Sequence, residues 1–350
     1  MKKLLSGLLT TLLVLSMFGA GALSNVAMAA EGPALRVGLM PSAVGAPVQY
    51  ALENGYFDEV GLTVETIIFP SGAPINEAVA ANELDVAMSG AATIFSLAGG
   101  DCTLLADIAA SGGMGIWVRP DSEIMTVQGE ASDAKEMYGS AETLKGKTFL
   151  CALGTASQFN VLRYLQQFGL SDTDVNIVHM EFGPGAQAFI AGEGDAIATF
   201  APYSMQVEDA GAVKVCSFED ATGTALYDMM FARNQVVETR RDDLVKYVTA
   251  IERAIEALND PAIRKEFSMR WFASEGRAYD EAAMDQEILD RPYCTKSVME
   301  DNYVLGAAMV GYAEFNVSIE KLEPEQVDSV KTCFDGSILS DAVGIPIATP

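Results

Sequence analysis

The sequence predicts an α/β protein of two lobes, each built on a helix-covered sheet. Three observations support this fold class. At 350 residues the chain is longer than one hydrophobic core usually holds. Short apolar segments alternate with helical ones from about residue 35 to residue 200, which is typical of parallel strands covered by helices. A similar helix, turn and strand occur at 80–93 and again at 190–203, which predicts two related sheets with a cleft between them.

Residues 1–30 have the three-part layout of a secretory signal peptide. Two lysines precede an apolar stretch over 4–18, and small residues surround Ala29. The alternative is an uncleaved membrane anchor, but Ser, Gly and Thr interrupt the stretch and it is short for a span. No cysteine follows it to carry a lipid. We therefore expect cleavage near Ala29 and an exported protein, most simply in a bacterial periplasm.

The chain is strongly acidic, with 48 Asp and Glu against 22 Lys and Arg, a formal net charge of −26. A protein without a basic stripe cannot neutralise phosphates, so we expect no nucleic-acid partner. The charge says little about a small anionic ligand, because the local field of a pocket can oppose the net charge.

In the first lobe, expected at 31–116, strands are predicted at 35–40, 63–69, 85–88 and 102–109. Loops of small residues follow the first three strands, and ligands of such sheets bind outside the carboxyl ends of the strands. After the third strand, small residues open a helix, where backbone N–H groups and the helix dipole favour an anion. Three hydroxyls lie in these loops, those of Ser42, Ser71 and Ser89.

In the second lobe, expected at 117–218, strands are predicted at 148–151, 175–180 and 195–200. A Gly-Thr-Ala-Ser sequence follows the first of these strands and opens a helix, which gives this lobe its own helix start suited to an anion. The last strand ends in aromatic residues where the first lobe has small ones, and an aromatic rim suits closure over an organic solute.

The second part of the first lobe is expected at 219–350. Strands at 213–218 and 228–232 are predicted to return towards the first lobe. Helical periodicity dominates the rest of the chain. The predicted helices are 242–258, 261–273, 280–290, 297–315 and 324–334.

The five cysteines form no Cys-x-x-Cys pair and are too widely separated for a zinc ribbon. An oxidising compartment would allow one or two disulfides. The candidate pairs are Cys294–Cys333 and Cys151–Cys216, because in each pair both cysteines belong to the same expected lobe. Buried free thiols are an equal alternative, and an odd count leaves one thiol unpaired within the chain. We expect neither a metal nor a cofactor.

An enzyme is disfavoured because the chain has a single histidine, His179, in an apolar strand where we expect a core residue. Neither a Gly-x-Ser-x-Gly elbow nor further histidines for a metal site accompany it. Asp85 and Asp195 each stand at the start of a strand, and we expect them to bond backbone N–H groups. A Gly-x-Gly pair at 192–194 precedes its strand, which disfavours a dinucleotide site.

Five segments of the chain form a specific combination: LRVGLMPSAVGAP, ALENGYFDEVGLTVE, NELDVAMSGAAT, TLKGKTFLCALGTASQF and AGEGDAIATFAPY. Together they resemble the periplasmic solute-binding proteins of the nitrate, sulfonate, taurine and thiamine-precursor type, which serve ABC importers. The resemblance covers about 35–218. It implies a type II periplasmic-binding-protein, or Venus-flytrap, fold with mixed sheets, in which both chain ends form the first lobe.

The resemblance also implies the ligand-binding positions. Glu181, at the end of a second-lobe strand, is the candidate partner for an ammonium group, whereas Arg163 is expected to face solvent. For Ser89 the alternative to ligand contact is a role as a plain helix cap. For Tyr203 it is packing in the core of the second lobe. The expected ligand residues are Ser42, Ala43, Val44, Ser71, Gly72, Ser89, Gly90, Ala91, Thr155, Ala156, Ser157, Glu181, Phe200 and Tyr203.

We therefore expect a monomeric, exported binding protein without catalytic activity that captures a small organic anion, preferably sulfonate-like or taurine-like. It would deliver this solute to an ABC permease of the inner membrane. A neutral or aromatic solute, such as a pyrimidine precursor of thiamine, is one alternative, and a solute sensor that signals to a membrane receptor is another. An enzyme like the pyrimidine synthases ranks lower, because their histidine and cysteine-rich segment are absent.

Overall fold

The computed structural model describes residues 32–130, 137–223 and 226–350. The predicted signal peptide at 1–30 lies outside the described residues, so its cleavage stays a prediction. Within the described ranges the chain forms two five-stranded sheets. Their strands are β1 (Leu35–Leu39), β2 (Val64–Ile68), β3 (Val86–Ser89), β4 (Cys102–Ala110), β5 (Gly115–Val118), β6 (Thr148–Cys151), β7 (Asn176–His179), β8 (Ala196–Thr199), β9 (Val213–Ser217) and β10 (Tyr227–Arg233).

Helices cover both sheets. No helix among the described residues is long and apolar enough to cross a membrane. The α-helices found in the described ranges are α1 (Ala46–Glu53), α2 (Tyr56–Glu59), α3 (Gly72–Ala80), α4 (Thr93–Ala98), α5 (Ala141–Leu144), α6 (Ala156–Gln167), α7 (Phe182–Ile190), α8 (Tyr203–Asp209), α9 (Phe218–Thr222), α10 (Asn234–Thr239), α11 (Arg241–Leu258), α12 (Pro261–Ser274), α13 (Glu281–Asp290), α14 (Lys296–Met299), α15 (Met309–Ser318), α16 (Gln326–Lys331) and α17 (Gly336–Val343).

Both sheets have the same mixed design. The first has the strand order β2-β1-β3-β10-β4, in which β1 is parallel to its two neighbours and β10 is antiparallel to both of its own. The second has the order β7-β6-β8-β5-β9, with β6 parallel and β5 antiparallel to their neighbours. The predicted two-lobed α/β fold is confirmed. The repeated helix-turn-strand design supplies the central strand of each sheet, β3 and β8.

The chain crosses between the sheets twice, from β4 to β5 and from β9 to β10. Because β5 begins at Gly115, residues 115 and 116, which the sequence analysis placed in the first lobe, belong to the second sheet. Strand β9 also belongs to the second sheet, so β10 is the strand that returns to the first. The helices after β10 bury a continuous apolar face against the first sheet, for example Leu244, Tyr247 and Val248 of α11.

The predicted helix at 297–315 is wrong, because a non-helical segment separates α14 from α15. Buried Asp107 of β4 explains the break: its carboxylate accepts hydrogen bonds from the Tyr303 hydroxyl and the Gly306 N–H, both at 2.9 Å. Gly306 has a φ of +69°, a left-handed conformation that favours glycine. The last predicted helix is also shorter than expected, and α17 beyond it was not predicted.

The cysteines Cys102, Cys151, Cys216, Cys294 and Cys333 are all buried free thiols, so neither candidate disulfide is formed. Burial raises the pKa of Cys102, Cys151 and Cys333 to about 12. These thiols are therefore protonated and unreactive at neutral pH.

His179 is not the core residue that the sequence predicted. It lies on β7, at the edge of the second sheet, with half of its side chain exposed. Its Nδ1 accepts a hydrogen bond from the Leu153 N–H at 3.1 Å. The two aspartates do have the expected structural role, since Asp85 accepts from the Arg36 N–H at 3.0 Å and Asp195 from the Thr148 N–H at 2.8 Å. Each bond ties the start of a central strand to its neighbour.

Candidate functional site

Contacts between the two lobes meet at the carboxyl ends of the central strands. A Cβ added to Gly90, just after β3, would lie 3.0 Å from Oδ1 of Asp228 in β10. The other oxygen of Asp228, Oδ2, accepts a hydrogen bond from Arg291 Nη1 at 2.6 Å. The Arg291 guanidinium lies 5.5 Å from the ring centroid of Phe200, which follows β8 in the other lobe. We call the site defined by these four residues the interlobe cleft.

The first lobe adds the start of α3 to the interlobe cleft. A Cβ added to Gly72 would lie 2.5 Å from Ser89 Oγ and 2.7 Å from Ala92 Cβ, so only glycine lets α3 come this close to the end of β3. Ser71 precedes α3 and is exposed. The structure therefore brings Ser71, Gly72, Ser89, Gly90 and Ala91 together. Helix α4 begins at Thr93, so residues 90–92 are a turn and not its first residues.

The loop after β1 offers its backbone and one hydroxyl. Ala43 and Val44 are buried, so their side chains face the core and not a solute. The Ala43 carbonyl accepts a hydrogen bond from the Tyr293 hydroxyl at 3.1 Å, two residues along the chain from Arg291. The loop is thus fixed beside the interlobe cleft, with the Ser42 hydroxyl as its available polar side chain.

Three aromatic rings form the wall of the second lobe. Phe182 and Phe200 meet edge to face with ring centroids 4.6 Å apart, and Tyr203 lies 6.3 Å from each of them. Phe200 and Tyr203 were expected from the sequence, and Phe182 was not. Such a wall can cover the apolar part of an organic solute.

Three buried hydroxyls at the ends of strands have no hydrogen-bond partner among the described residues. They are Ser42 Oγ, Ser89 Oγ and Thr199 Oγ1. Ser89 and Thr199 are the last residues of β3 and β8, the corresponding strands of the two sheets. A buried polar group without a partner costs about 1–3 kcal/mol, and native proteins seldom keep one without a reason. Each of these hydroxyls is therefore a hydrogen-bond donor that the described part of the fold leaves unused.

The hydroxyls at the start of α6 are committed to the protein. Thr155 Oγ1 donates to the Ala152 carbonyl at 2.7 Å and accepts from the Ser157 N–H at 3.1 Å. Ser157 Oγ donates to the Ala198 carbonyl at 2.9 Å. The expectation that these two hydroxyls donate to an anion therefore does not agree with the structure. What α6 can still offer is the backbone of its first turn, including Ala156, which the Ser157 bond holds beside β8.

Glu181 is poorly placed to hold an ammonium group in the interlobe cleft. Its side chain is 71% exposed, and it lies 3.7 Å from His179 on the surface. It precedes α7 without capping it through the side chain. The buried carboxylate in the interlobe cleft is that of Asp228, which is 3% exposed.

Burial and pairing set the charges of the interlobe cleft. Glu287 of α13 is also buried beside the interlobe cleft, with its Oε1 3.6 Å from Arg291 Nε. Burial raises the pKa of Asp228 and of Glu287, and Arg291 opposes this effect in both. Burial also disfavours the Arg291 cation, but the two carboxylates outweigh it and raise the pKa of Arg291. Arg291 therefore stays charged and is bound to protein carboxylates. A solute anion would be held mainly by N–H groups and hydroxyls.

Besides Phe182, sequence reasoning missed three site residues: Asp228, Arg291 and Thr199. Asp228 and Arg291 lie 63 positions apart and meet only through the fold. No motif surrounds Arg291, which follows α13. Thr199 carried a usable signal, because it occupies the position of Ser89 in the repeated helix-turn-strand design.

Comparisons with known proteins agree with this architecture. A sequence profile of the NMT1-like family matches residues 28–270. A protein of Brachyspira hyodysenteriae named as an ABC transporter periplasmic binding protein is 32% identical over 98% of this chain and 100% of its own length. A Bacillus subtilis protein named as an aliphatic sulfonates-binding protein is 28% identical over 63% of this chain and 64% of its own length.

The same fold occurs in solved structures. The periplasmic aliphatic sulphonate binding protein of Escherichia coli superposes with a TM-score of 0.67 at 19% identity, over 85% of this chain and 92% of that one. Fold and cleft together define a two-lobed periplasmic binding protein, as the sequence resemblance predicted. Within that class, the chain belongs to the NMT1-like family.

Proposed function

We propose that this chain is an exported solute-binding protein that captures a small organic anion in the interlobe cleft and delivers it to an ABC importer. The main support is a set of three buried hydroxyls that have no hydrogen-bond partner among the described residues: Ser42 in the loop after β1, Ser89 at the end of β3 and Thr199 at the end of β8. Family membership and the names of the relatives support periplasmic location and delivery to a permease. Binding, not catalysis, is its role.

The preferred solute carries a sulfonate and an ammonium group, as taurine does. Donors in the cleft are hydroxyls and backbone N–H groups, which suit a sulfonate. The Asp228 carboxylate already accepts hydrogen bonds from Arg291 and from the Ser111 side chain, and its Oδ1 lies against Gly90. We assign to it the further role of accepting from an ammonium, which the sequence analysis gave to Glu181. A solute with both groups would use the donors and the carboxylate together.

A neutral aromatic solute is the second candidate, because Phe182, Phe200 and Tyr203 offer ring faces and edges within 6.3 Å of one another. A pyrimidine would use the hydroxyls through its ring nitrogens and would not need a cation partner. The two candidates differ in their dependence on Asp228.

Calorimetric titration distinguishes the sulfonate with an ammonium group from the neutral aromatic solute. The solutes are taurine, ethanesulfonate, which lacks only the amine, and a hydroxymethylpyrimidine. We expect taurine to bind roughly 10- to 150-fold more tightly than ethanesulfonate, the value of one hydrogen bond to a charged group. In Asp228→Asn the two affinities should become equal. Binding of the pyrimidine alone, unchanged in Asp228→Asn, would instead favour the neutral solute.

Delivery is tested in the cell that carries the gene. A deletion strain should lose growth on taurine as the only sulfur source and recover it with the wild-type gene. Normal growth of the deletion strain, together with a lost behavioural or transcriptional response to taurine, would favour the sensor alternative.

A further inference from the structure

A cavity of about 440 Å³ lies between the lobes at a place separate from the interlobe cleft. Its walls come from the middle of α6, from the crossover after β9 and from α15. None of the expected ligand residues lines it. We call it the hinge cavity, because it adjoins the second crossover between the sheets.

Aromatic rings from both lobes form one wall of the hinge cavity. Phe159 of α6 lies 4.1 Å from Phe315 and 5.0 Å from Tyr312 of α15, between ring centroids. Phe218, at the crossover, lies 5.6 Å from Phe159. Because α6 belongs to the second lobe and α15 to the first, relative motion of the lobes changes the shape of this wall.

One cationic side chain, that of Arg163, lines the same space, which also has the carboxylate of Glu314 in its lining. Arg163 lines the hinge cavity, and its Nε is buried without a hydrogen-bond partner among the described residues. Its Nη1 donates to Gln166 at 3.0 Å, so one side of the guanidinium is used and the other is not. The sequence analysis expected Arg163 to face solvent, but it is only partly exposed. A guanidinium with an unused N–H suits a planar carboxylate.

From these observations we infer that the hinge cavity is a second binding site, for a small aromatic carboxylate. The ring would lie against Phe159 and its neighbours, and the carboxylate would accept from Arg163. The volume exceeds that of a single ring system, and ligand sites of this kind typically measure about 300–1,000 Å³. The ligand class assigned to this site is argued without reference to which solute the interlobe cleft takes.

Occupation of the hinge cavity would affect the cleft through α6. Ser157 anchors the start of α6 to β8 beside the interlobe cleft, and Arg163 lies six residues further, about 9 Å along the helix. A carboxylate that bridges α6 and α15 would favour one arrangement of the lobes. It would therefore change the affinity of the cleft for its solute.

Gly311 allows a clean test. A Cβ added there meets no heavy atom within 4 Å, and the residue lies on α15 in the lining of the hinge cavity. Gly311→Leu adds an isobutyl side chain at this open position in the cavity wall and removes a helix-destabilising glycine. Gly311→Ala is the matched control, because it makes the same helix change and leaves most of the space open.

The probe is indole-3-carboxylate, titrated by calorimetry into the full-length protein, with indole as the uncharged comparison. We expect saturable binding that Gly311→Leu abolishes, Gly311→Ala keeps, and Arg163→Gln weakens roughly 10- to 150-fold. Ser89→Ala should leave it unchanged. Absence of binding, equal binding by Gly311→Leu, or loss of binding in Ser89→Ala would overturn the proposal. Taurine titration of the same variants reports separately on the interlobe cleft.

Discussion

Two buried serines should respond in opposite ways to the same substitution. Ser89 and Ser157 are both fully buried. Ser89 Oγ has no hydrogen-bond partner among the described residues, whereas Ser157 Oγ donates to the Ala198 carbonyl at 2.9 Å. Ser89→Ala therefore removes a group that the fold does not use. Ser157→Ala removes a buried hydrogen bond that holds the start of α6 to β8.

The magnitudes follow from these contacts. Ser157→Ala should lower the free energy of unfolding by about 0.5–1.5 kcal/mol, the net value of one intramolecular hydrogen bond. Ser89→Ala should keep or raise that free energy. If Ser89 donates to a bound sulfonate, its loss removes one charge-assisted hydrogen bond of about 1.5–3 kcal/mol. Taurine affinity should then fall roughly 10- to 150-fold in Ser89→Ala and much less in Ser157→Ala.

Two measurements on the same protein samples decide this prediction. Urea denaturation without ligand gives the free energy of unfolding, and calorimetric titration gives the taurine affinity. The reasoning is refuted if Ser89→Ala destabilises the protein more than Ser157→Ala does. It is also refuted if Ser157→Ala lowers taurine affinity while Ser89→Ala leaves it intact, because the committed hydroxyl would then be the ligand donor.

Three further predictions concern the frame around the site. Arg291→Met should lower the free energy of unfolding, measured by urea denaturation, by about 3–5 kcal/mol, because it leaves Asp228 buried without Arg291 as its partner. Adding Asp228→Asn to this variant should recover part of the loss. If the effects of the two substitutions are simply additive, the coupling between the two residues is contradicted. Burial raises the pKa of Asp107 to about 6, above its value in the unfolded chain, so the free energy of unfolding should rise by roughly 2 kcal/mol as pH falls from 6 to 4. Asp107→Asn should remove this pH dependence from the free energy of unfolding. If the variant and the wild type have the same pH profile, Asp107 is not its source. Gly306→Ala places a Cβ 2.5 Å from the Phe334 ring at a residue with a left-handed φ. Calorimetric melting should therefore show that the free energy of unfolding falls by about 2–5 kcal/mol. Unchanged stability would contradict the backbone conformation described for this loop.

Local patterns in the sequence predicted most of the fold. The strands and the longer helices up to α13 follow apolar periodicity and glycine or proline boundaries, and the repeated design located both central strands. Short helices such as α2, α5 and α10 were not predicted. The break between α14 and α15 could not be predicted in this way, because its cause is Asp107, about two hundred positions away. The prediction that His179 is a core residue was wrong for a related reason, because an apolar segment does not show whether its strand is central or at an edge of the sheet.

The site likewise contains residues that local sequence signals predict and residues that only tertiary contacts bring together. Gly72, Ser89 and Gly90 could be located because small residues at strand ends are a local signal. The pairing of Asp228 with Arg291 and the commitment of Ser157 to Ala198 are tertiary facts, which a single sequence does not carry. A hydroxyl at a helix start looks the same in sequence whether it serves a ligand or its own fold.

The central claim is that the lobes close on a solute held in the interlobe cleft. Cysteines introduced by Glu65→Cys on β2 and Glu193→Cys after α7 are exposed, whereas the native thiols are buried, so fluorophores can be attached selectively. Energy transfer between the labels measures the separation of the lobes. The account predicts that taurine shortens this distance in a saturable way, and that Ser89→Ala shifts the transition to higher concentration. An unchanged distance at taurine saturation would contradict closure, and an identical transition in Ser89→Ala would contradict the site.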